Sequence, residues 1–350
     1  MQLPQLTGFR SFVATVARAS PTVNELTDAR PGHLALPDVG RVRANRQAAR
    51  AGETKRALAK NWRLFEEWAF RAGIKSLPAD PAAVEAFLLY LSDDHQRLDR
   101  RGRPLGQGLK TASVQQALWA INARHRMAGL PPPGNSEAVR IAMAGIKRRK
   151  GMRRKQQAPL TIEHLRSIAF APGLKGLRDK ALLLVGFAGC FRRSELVGLR
   201  AEDLEETPYG LRVLLRRSKT DQFAQGAWVA IVAAQTHREA CPVQALKAWL
   251  AATEITAGAI FRSLSKGAKP RLGAQLSAVS VDAVVKWAAR ECGFNPAAYG
   301  GHSLRAGYAT YLAQLNKPPT LIARQGRWKK LDMVLAYARD DVAKALSGSY

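Results

Sequence analysis

Arg192, Lys219, His302, Arg305, Trp328 and Tyr337 follow one another along the second half of the sequence. Two arginines, a lysine, a histidine and a late tyrosine suit attack on a phosphodiester without a metal ion. A phenol is a poor nucleophile at neutral pH, with an ordinary pKa of about 10. A tyrosine used this way needs a site that stabilises negative charge and helps to remove its proton. Permanently charged guanidinium groups meet the first need, and an imidazole meets the second.

Each position has a local context, and each taken singly also fits an ordinary structural role. In G-H-S-L-R, residues 301–305, His302 and Arg305 stand three apart at the start of an expected helix. That spacing puts both on one face, beside backbone N–H groups that favour an anion. Chance His-x-x-Arg pairs, however, are mostly surface residues. F-R-R-S-E-L, residues 191–196, follows an apolar helix and Gly189, so Arg192 emerges at the edge of a core; the alternative is a structural arginine ahead of a helix capped by Ser194. Lys219, in R-S-K-T-D at a hairpin tip, either reaches a ligand or is a solvated turn lysine. Trp328 in G-R-W also fits a core aromatic, and Tyr337 in L-A-Y-A-R a helix-face tyrosine. His33, His95, His125, His164 and His237 lack comparable surroundings and read as surface or packing residues.

The elements that must hold these positions are read from apolar spacing. Residues 1–50 mix Pro, Gly, Arg and small residues without a sustained period and are expected to form a flexible arm. Helical patterning begins with Leu58, Trp62, Phe65 and Ala69, and Gly73 is placed to stop it. Asp80 followed by Pro81 starts a second helix with Val84, Phe87, Leu88 and Leu91 inward. Residues 92–107 read as a polar loop. A third helix, beginning near Ser113, turns Val114, Ala117, Leu118 and Ile121 inward, and Ser136 caps a fourth with Val139, Met143 and Ile146 inward. The expectation is an all-helical domain over 51–146, a basic linker over 147–158 and a mixed domain over 159–350. In the last, Thr161 opens a helix and residues 177–187 form another. Strands are expected at 211–217 and 227–232 around a turn at 218–226. Further helices are expected near 243–251, 281–291, 303–315, 320–325, 333–339 and 342–346. The predicted class is mainly α with a small antiparallel β-sheet, the second domain being α+β.

The chain has 350 residues, enough for two sizeable cores. Its 55 Lys and Arg against 27 Asp and Glu give a formal charge of +28. Such an excess points to a polyanion, most simply nucleic acid, because counterions released from phosphates drive binding whatever the sequence. An anionic membrane surface is the competing partner. The longest apolar run, 181–191, falls far short of the roughly 20 residues a membrane span needs. The first twenty residues lack acids but hold no continuous apolar stretch for secretion. Cys190, Cys241 and Cys292 are widely separated and lack C-x-x-C spacing, which suggests neither a zinc site nor a disulfide framework; a reducing cytoplasm fits. The run K-R-R-K-G-M-R-R-K opens with Lys147, Arg148, Arg149 and Lys150. It is either a solvated charge run or a strap lying across a DNA backbone.

Taken in order, Arg192 with Glu195 three residues on, a hairpin Lys219, His302 with Arg305, a Gly-x-Trp and a tyrosine nine residues after Trp328 form a pattern that resembles the tyrosine recombinases, also called phage integrases. The segment S-V-Q-Q-A-L-W-A-I-N-A-R-H-R-M-A-G-L-P-P-P, starting at Ser113, is similar to the part of a family helical domain that enters DNA grooves, and A-F-L-L-Y-L over 86–91 also matches. The resemblance covers roughly residues 55 to 345 and leaves the N-terminal arm unexplained. Many members carry histidine where this chain has Trp328. A guanine-reading arginine found in the family is not reproduced before Val281, where Val279 falls near that place, so a different target sequence is expected.

The resemblance implies a helical core DNA-binding domain and a catalytic domain that form a C-shaped clamp on DNA, with Ser113, Gln115, Gln116 and Arg126 in the groove-entering segment. It implies that Tyr337 attacks a phosphate to form a 3′-phosphotyrosine, and that Arg192 and Arg305 neutralise the non-bridging oxygens. Lys219 is then the general acid, His302 a phosphate ligand that assists proton transfer, Glu195 an orienting residue and Trp328 a partner of the phosphate region. No metal and no other cofactor is implied. The implied partner is double-stranded DNA with an inverted-repeat site, recombined by a homotetramer through a Holliday junction and bridged by C-terminal tails. The implied setting is the cytoplasm of a prokaryote or a mobile element. A type IB topoisomerase and a catalytically silent DNA-binding protein are the competing readings.

Overall fold

The computed structural model describes residues 41, 52–99, 101–152, 156–216, 226–267 and 269–335. The chain divides into two units, Met1–Arg153 and Arg154–Tyr350. No described helix is long and apolar enough to cross a membrane.

In the first unit, α1 (Gly52–Arg71) buries the stripe Leu58, Trp62, Phe65 and Ala69. The next helix, α2 (Pro81–Asp93), starts where Asp80 accepts a 2.7 Å hydrogen bond from the Ala82 N–H, the usual office of an aspartate N-cap ahead of proline. The helix α3 (Thr111–Met127) begins two residues before the expected Ser113, and α4 (Glu137–Lys150) is capped by Ser136. Phe65, Phe87, Leu88, Leu91, Ile121 and Ile146 are among the side chains that close one core. Each large apolar side chain buried there stabilises the fold by about 1.5–3 kcal/mol. His125 is part of that interior: its Nε2 accepts the Ala79 N–H at 2.8 Å and its Nδ1 pairs with the Ile121 carbonyl at 2.8 Å.

Two expectations for this unit are corrected. It is not all-helical: residues within the expected loop 92–107 form an antiparallel hairpin, β1 (Gln96–Leu98) with β2 (Pro104–Gln107). Asp99 shapes its turn by accepting the N–H groups of Arg101 and Arg103. Lys147, Arg148, Arg149 and Lys150 form the last turn of α4, where cations favour the helix C-terminus. Arg149 there pairs with Asp93 at 2.9 Å, and Lys150 donates to the Ser92 and Leu109 carbonyls.

The second unit is built around α6 (Leu174–Ala188), buried almost all round from Ala181 to Phe187 and therefore surrounded by other elements. The short α5 (Ile162–Arg166) precedes it, and α7 (Arg193–Val197) follows. A three-stranded antiparallel sheet takes the order β3 (Leu204–Thr207), β4 (Gly210–Leu215), β5 (Ala227–Val232). Its register sets Leu211 opposite Ile231 and Val213 opposite Val229, so the alternating apolar residues share the buried face. Then follow α8 (Pro242–Thr253), the hairpin β6 (Arg262–Leu264) with β7 (Leu272–Gln275), α9 (Ala278–Glu291), α10 (His302–Gln314) and α11 (Pro319–Gly326). Strands β3, β6 and β7 were not anticipated. In β3, L-E-E-T, Leu204 is only half-buried and both glutamates are exposed, so no alternation marks it. The expected helices over 333–339 and 342–346 fall largely or wholly outside the described residues, as does most of the turn at 218–226.

Candidate active site

The turn between α6 and α7 is the platform of the site. Gly189 ends α6, Cys190 takes a left-handed φ of +48°, and Phe191 plunges back into the core. Arg192 comes next and is the N-cap of α7, a correction to the expectation that Ser194 caps this helix. The reason is local: the Glu195 carboxylate reaches back to accept the Arg192 backbone N–H at 2.9 Å, which closes one half of a capping box and starts the helix two residues earlier. The same carboxylate accepts from the Arg192 guanidinium through Oε1 at 2.5 Å. Glu195 is buried, and burial by itself raises its carboxyl. The opposing Arg327 charge, the Arg192 N–H and the Arg192 charge outweigh that and hold the carboxyl below its ordinary value.

Arg305 arrives from α10. Its Nη1 donates to the Cys190 carbonyl at 2.5 Å and its Nη2 to the Gly326 carbonyl at 2.7 Å, so two of its five N–H groups fix the plane of the fork. Burial lowers its pKa, and the neighbouring Arg192 and Arg327 charges push the same way, yet a guanidinium remains charged. Trp328 packs on its face, with the Arg305 Cζ 4.5 Å from the ring centroid. The indole also packs on Gly326, where a Cβ would fall 1.9 Å from the ring. The structure thus brings together Arg192, Glu195, Arg305 and Trp328 from three separate segments.

His302 is exposed at the first turn of α10, while Arg305 one turn on is buried. The N-terminal N–H groups read from the sequence as an anion seat are in part occupied. Asp282 Oδ1 accepts the Gly301 N–H at 2.7 Å, and Gln157 Oε1 accepts the His302 N–H at 2.9 Å. Asp282 also pairs with Arg193, so one carboxylate joins the start of α10 to α7. Gly307 lets α10 lie on the Leu160 backbone, because a Cβ there would meet the Leu160 carbonyl at 1.9 Å. Lys219 and Tyr337 lie outside the described residues. The flanking structure is described: Arg216 at the end of β4 is held by Asp203 at 2.8 Å, and Val334 is buried in a cluster with Ala309, Leu312 and Ile322.

In the first unit, Ser113, Gln115, Gln116 and Arg126 are all exposed on α3, opposite the buried Val114, Ala117 and Ile121. Arg148, Arg149 and Lys150 are exposed and Lys147 is half-buried. Val279 is exposed on the first turn of α9.

Sequence reasoning missed Gln157, Asp282, Gln325 and Arg327. Gln325 donates to the Ala188 and Ala230 carbonyls, tying α11 to the end of α6 and to β5. Only Arg327 had a signal, its place beside Trp328. Among the described residues no group of three or more His, Cys, Asp or Glu is placed to hold a metal ion.

A family model described as the phage integrase family matches residues 140–344. The chain is 36% identical over 297 residues to the integrase/recombinase xerD homolog of Selenomonas ruminantium, an alignment spanning 83% of this chain and 82% of that protein. It is 24% identical over 298 residues to recombinase cre of Escherichia phage P1, spanning 79% and 81%. Among solved structures, the Tn1549 transposon integrase in complex with transposon right end DNA aligns with a TM-score of 0.55 at 14% identity, over 87% of this chain and 97% of that one. The XerH site-specific recombinase bound to palindromic difH substrate, a post-cleavage complex, aligns with a TM-score of 0.52 at 18% identity, over 77% and 72%. At these identities the two structures are alike in fold.

Proposed function

This chain belongs to the phage integrase family of tyrosine site-specific recombinases, and from that premise we propose that it breaks and rejoins duplex DNA at an inverted-repeat site, through a 3′-phosphotyrosine and a Holliday junction, as a homotetramer. The observation that carries the reading is the meeting of Arg192 and Arg305 at the Cys190 turn, with Trp328 packed against Arg305.

In this reaction the Tyr337 oxygen bonds to phosphorus and the bond from phosphorus to the 5′-oxygen breaks. The phenol proton leaves with help from His302, and Lys219 gives a proton to the departing 5′-oxygen, a task worth about 10²–10⁴-fold in rate. Arg192 and Arg305 neutralise the non-bridging oxygens as charge gathers on them, where fixed cations act best. Glu195 keeps Arg192 in place. Rejoining reverses the steps, with the 5′-hydroxyl of the exchanged strand as nucleophile. The ester stores the broken bond, so the steps call for neither ATP nor a metal ion. Exposed Ser113, Gln115, Gln116 and Arg126 meet the duplex on α3, while the basic end of α4, above all Lys147 and Arg148, meets phosphates. Residues after Tyr337 dock on a neighbouring subunit, and a deletion after Arg339 that left recombination intact would remove that part of the reading.

The test is covalent capture. The full chain is incubated with duplexes carrying a randomised segment, adducts are trapped by denaturation, and the attached DNA is sequenced. Wild type is expected to return one inverted-repeat family of sequences and Tyr337→Phe to return none. Equal capture by both proteins would overturn the assignment of the nucleophile. Relaxation of any supercoiled plasmid, with no exchanged product on the recovered site, would reduce the activity to nicking and rejoining.

A further inference from the structure

Arg327 has no part in the chemistry above, yet it ties more of the site together than either arginine assigned to the phosphate. It is the C-cap of α11 in a left-handed conformation, φ +56°, which residues other than glycine adopt rarely. From there the side chain turns inward, until only 10% of it is exposed. Nη1 donates to the Gly189 carbonyl at 3.2 Å and the Gln325 carbonyl at 2.9 Å. Nη2 donates to the Cys190 carbonyl at 2.9 Å and to Glu195 Oε2 at 2.8 Å. The guanidinium carbon lies 5.3 Å from the centre of the Phe191 ring. One side chain thus spans the α6–α7 turn, the Glu195 carboxylate and the segment that leads into Trp328.

We infer that Arg327 is a positioning residue, which holds Glu195 as a bound carboxylate, thereby keeps Arg192 aimed at the reacting phosphate, and pins the Trp328 segment to the Arg192 turn. The role assigned to Arg192 rests on the function proposed above; the clamp on Glu195 does not. The charged and titratable groups around Glu195 are Arg192 from its own cap, Cys190 from the preceding turn, Arg305 from α10 and Arg327 from the end of α11. Burial pushes the Cys190 thiol up, so it stays neutral and supplies no charge. Burial also pushes the Glu195 carboxyl up, and Arg327 is the largest influence in the other direction. Without it the carboxyl takes a proton at higher pH, and a neutral Glu195 is a poor partner for the Arg192 fork. Lysine in the same place keeps the charge but cannot span the carboxylate and the carbonyls together, since its donors radiate from one point.

The experiment follows covalent adduct formation on the duplex recovered by capture, at saturating DNA, from below the ordinary glutamate range, about pH 4, up to about pH 8. Wild-type adduct that is absent from Tyr337→Phe establishes the chemistry, so a failure of that reading is seen separately from a failure of this one. Arg327→Gln is expected to be slower throughout, with its acid limb moved to higher pH. Arg327→Lys is expected to be slower with the wild-type acid limb. Glu195→Gln and Arg327→Gln together should lose no more than either alone, a coupling of about tenfold. Additive losses with an unmoved acid limb, the pattern of a helix cap and nothing more, would overturn the proposal, as would wild-type kinetics in Arg327→Gln. Should Arg327→Gln not fold, Arg327→Lys decides: a displaced acid limb, or a loss undiminished in the Glu195→Gln background, rejects the clamp.

Discussion

Replacing Glu195 by glutamine keeps the volume of the side chain and removes the single negative charge from between two guanidinium groups. The partners are well shielded: the side chains of Glu195, Arg192 and Arg327 are 3%, 15% and 10% exposed. The carboxylate accepts the Arg192 N–H, the Arg192 guanidinium and the Arg327 guanidinium. An amide offers one accepting oxygen, and its NH₂ group must face a donor. Removing one partner of a buried ion pair costs about 3–5 kcal/mol. For a unit of this size each kcal/mol moves the melting midpoint by about 2–4 °C, so a fall of about 10 °C is expected near neutral pH. The pH dependence has a definite sign. Glu195 is held below its ordinary value in the folded chain, so its ionised form stabilises fully above the ordinary glutamate range and loses that contribution as pH falls through the lowered native value. Glutamine does not titrate, so the gap between wild type and variant is widest near neutrality and closes in acid. Scanning calorimetry of the full chain at neutral pH and in progressively more acidic buffers measures both. A shift under about 2 °C at neutral pH, or a gap of constant size at every pH, refutes the reasoning.

Three further outcomes follow from the packing and the charge. Gly307→Ala drives a methyl into the Leu160 carbonyl and should destabilise the second unit by about 1–3 kcal/mol in denaturant titration, with adduct formation falling because α10 carries both His302 and Arg305; an unchanged midpoint contradicts the close approach. His125→Ala strips the Ala79 N–H of its acceptor and opens a hole in the first core, an expected loss of about 2–4 kcal/mol in urea unfolding, and a loss below about 1 kcal/mol would mean the pairing contributes little. Neutralising Lys147 and Arg148 to glutamine should weaken binding to every duplex about equally and flatten the dependence of log K on log salt by up to about 0.9 per lost phosphate contact, measured by fluorescence anisotropy; a loss confined to one sequence assigns base reading to this turn.

The elements legible in the sequence are those whose stabilising contacts are local or repeat with a period. The stripe Leu58, Trp62, Phe65, Ala69, the Asp80 and Ser136 caps, and the alternation in β4 and β5 each declare one buried face or one satisfied helix end. The β1–β2 hairpin and β3 carry no such mark, since strands whose residues are mostly exposed need no apolar alternation and are held by backbone pairing to a neighbour. Ser194 has the better intrinsic preference for a helix cap, yet α7 begins at Arg193, because a glutamate three residues beyond Arg192 can close on its N–H and a buried carboxylate needs that donor.

The sequence by itself determined which groups are present, in what order, and the charge surplus that turns the chain toward a polyanion. It also determined α10, which carries His302 and Arg305, because turn-to-turn contacts lie within four residues of one another. Which guanidinium groups meet around Glu195 was decided only by the tertiary structure. Arg327 reaches that carboxylate across 132 positions, and Arg305 reaches the Cys190 carbonyl across 115. No local preference encodes such a pairing; it exists because α10 and α11 pack against the end of α6, and a buried charge there must find its partners or not be buried at all.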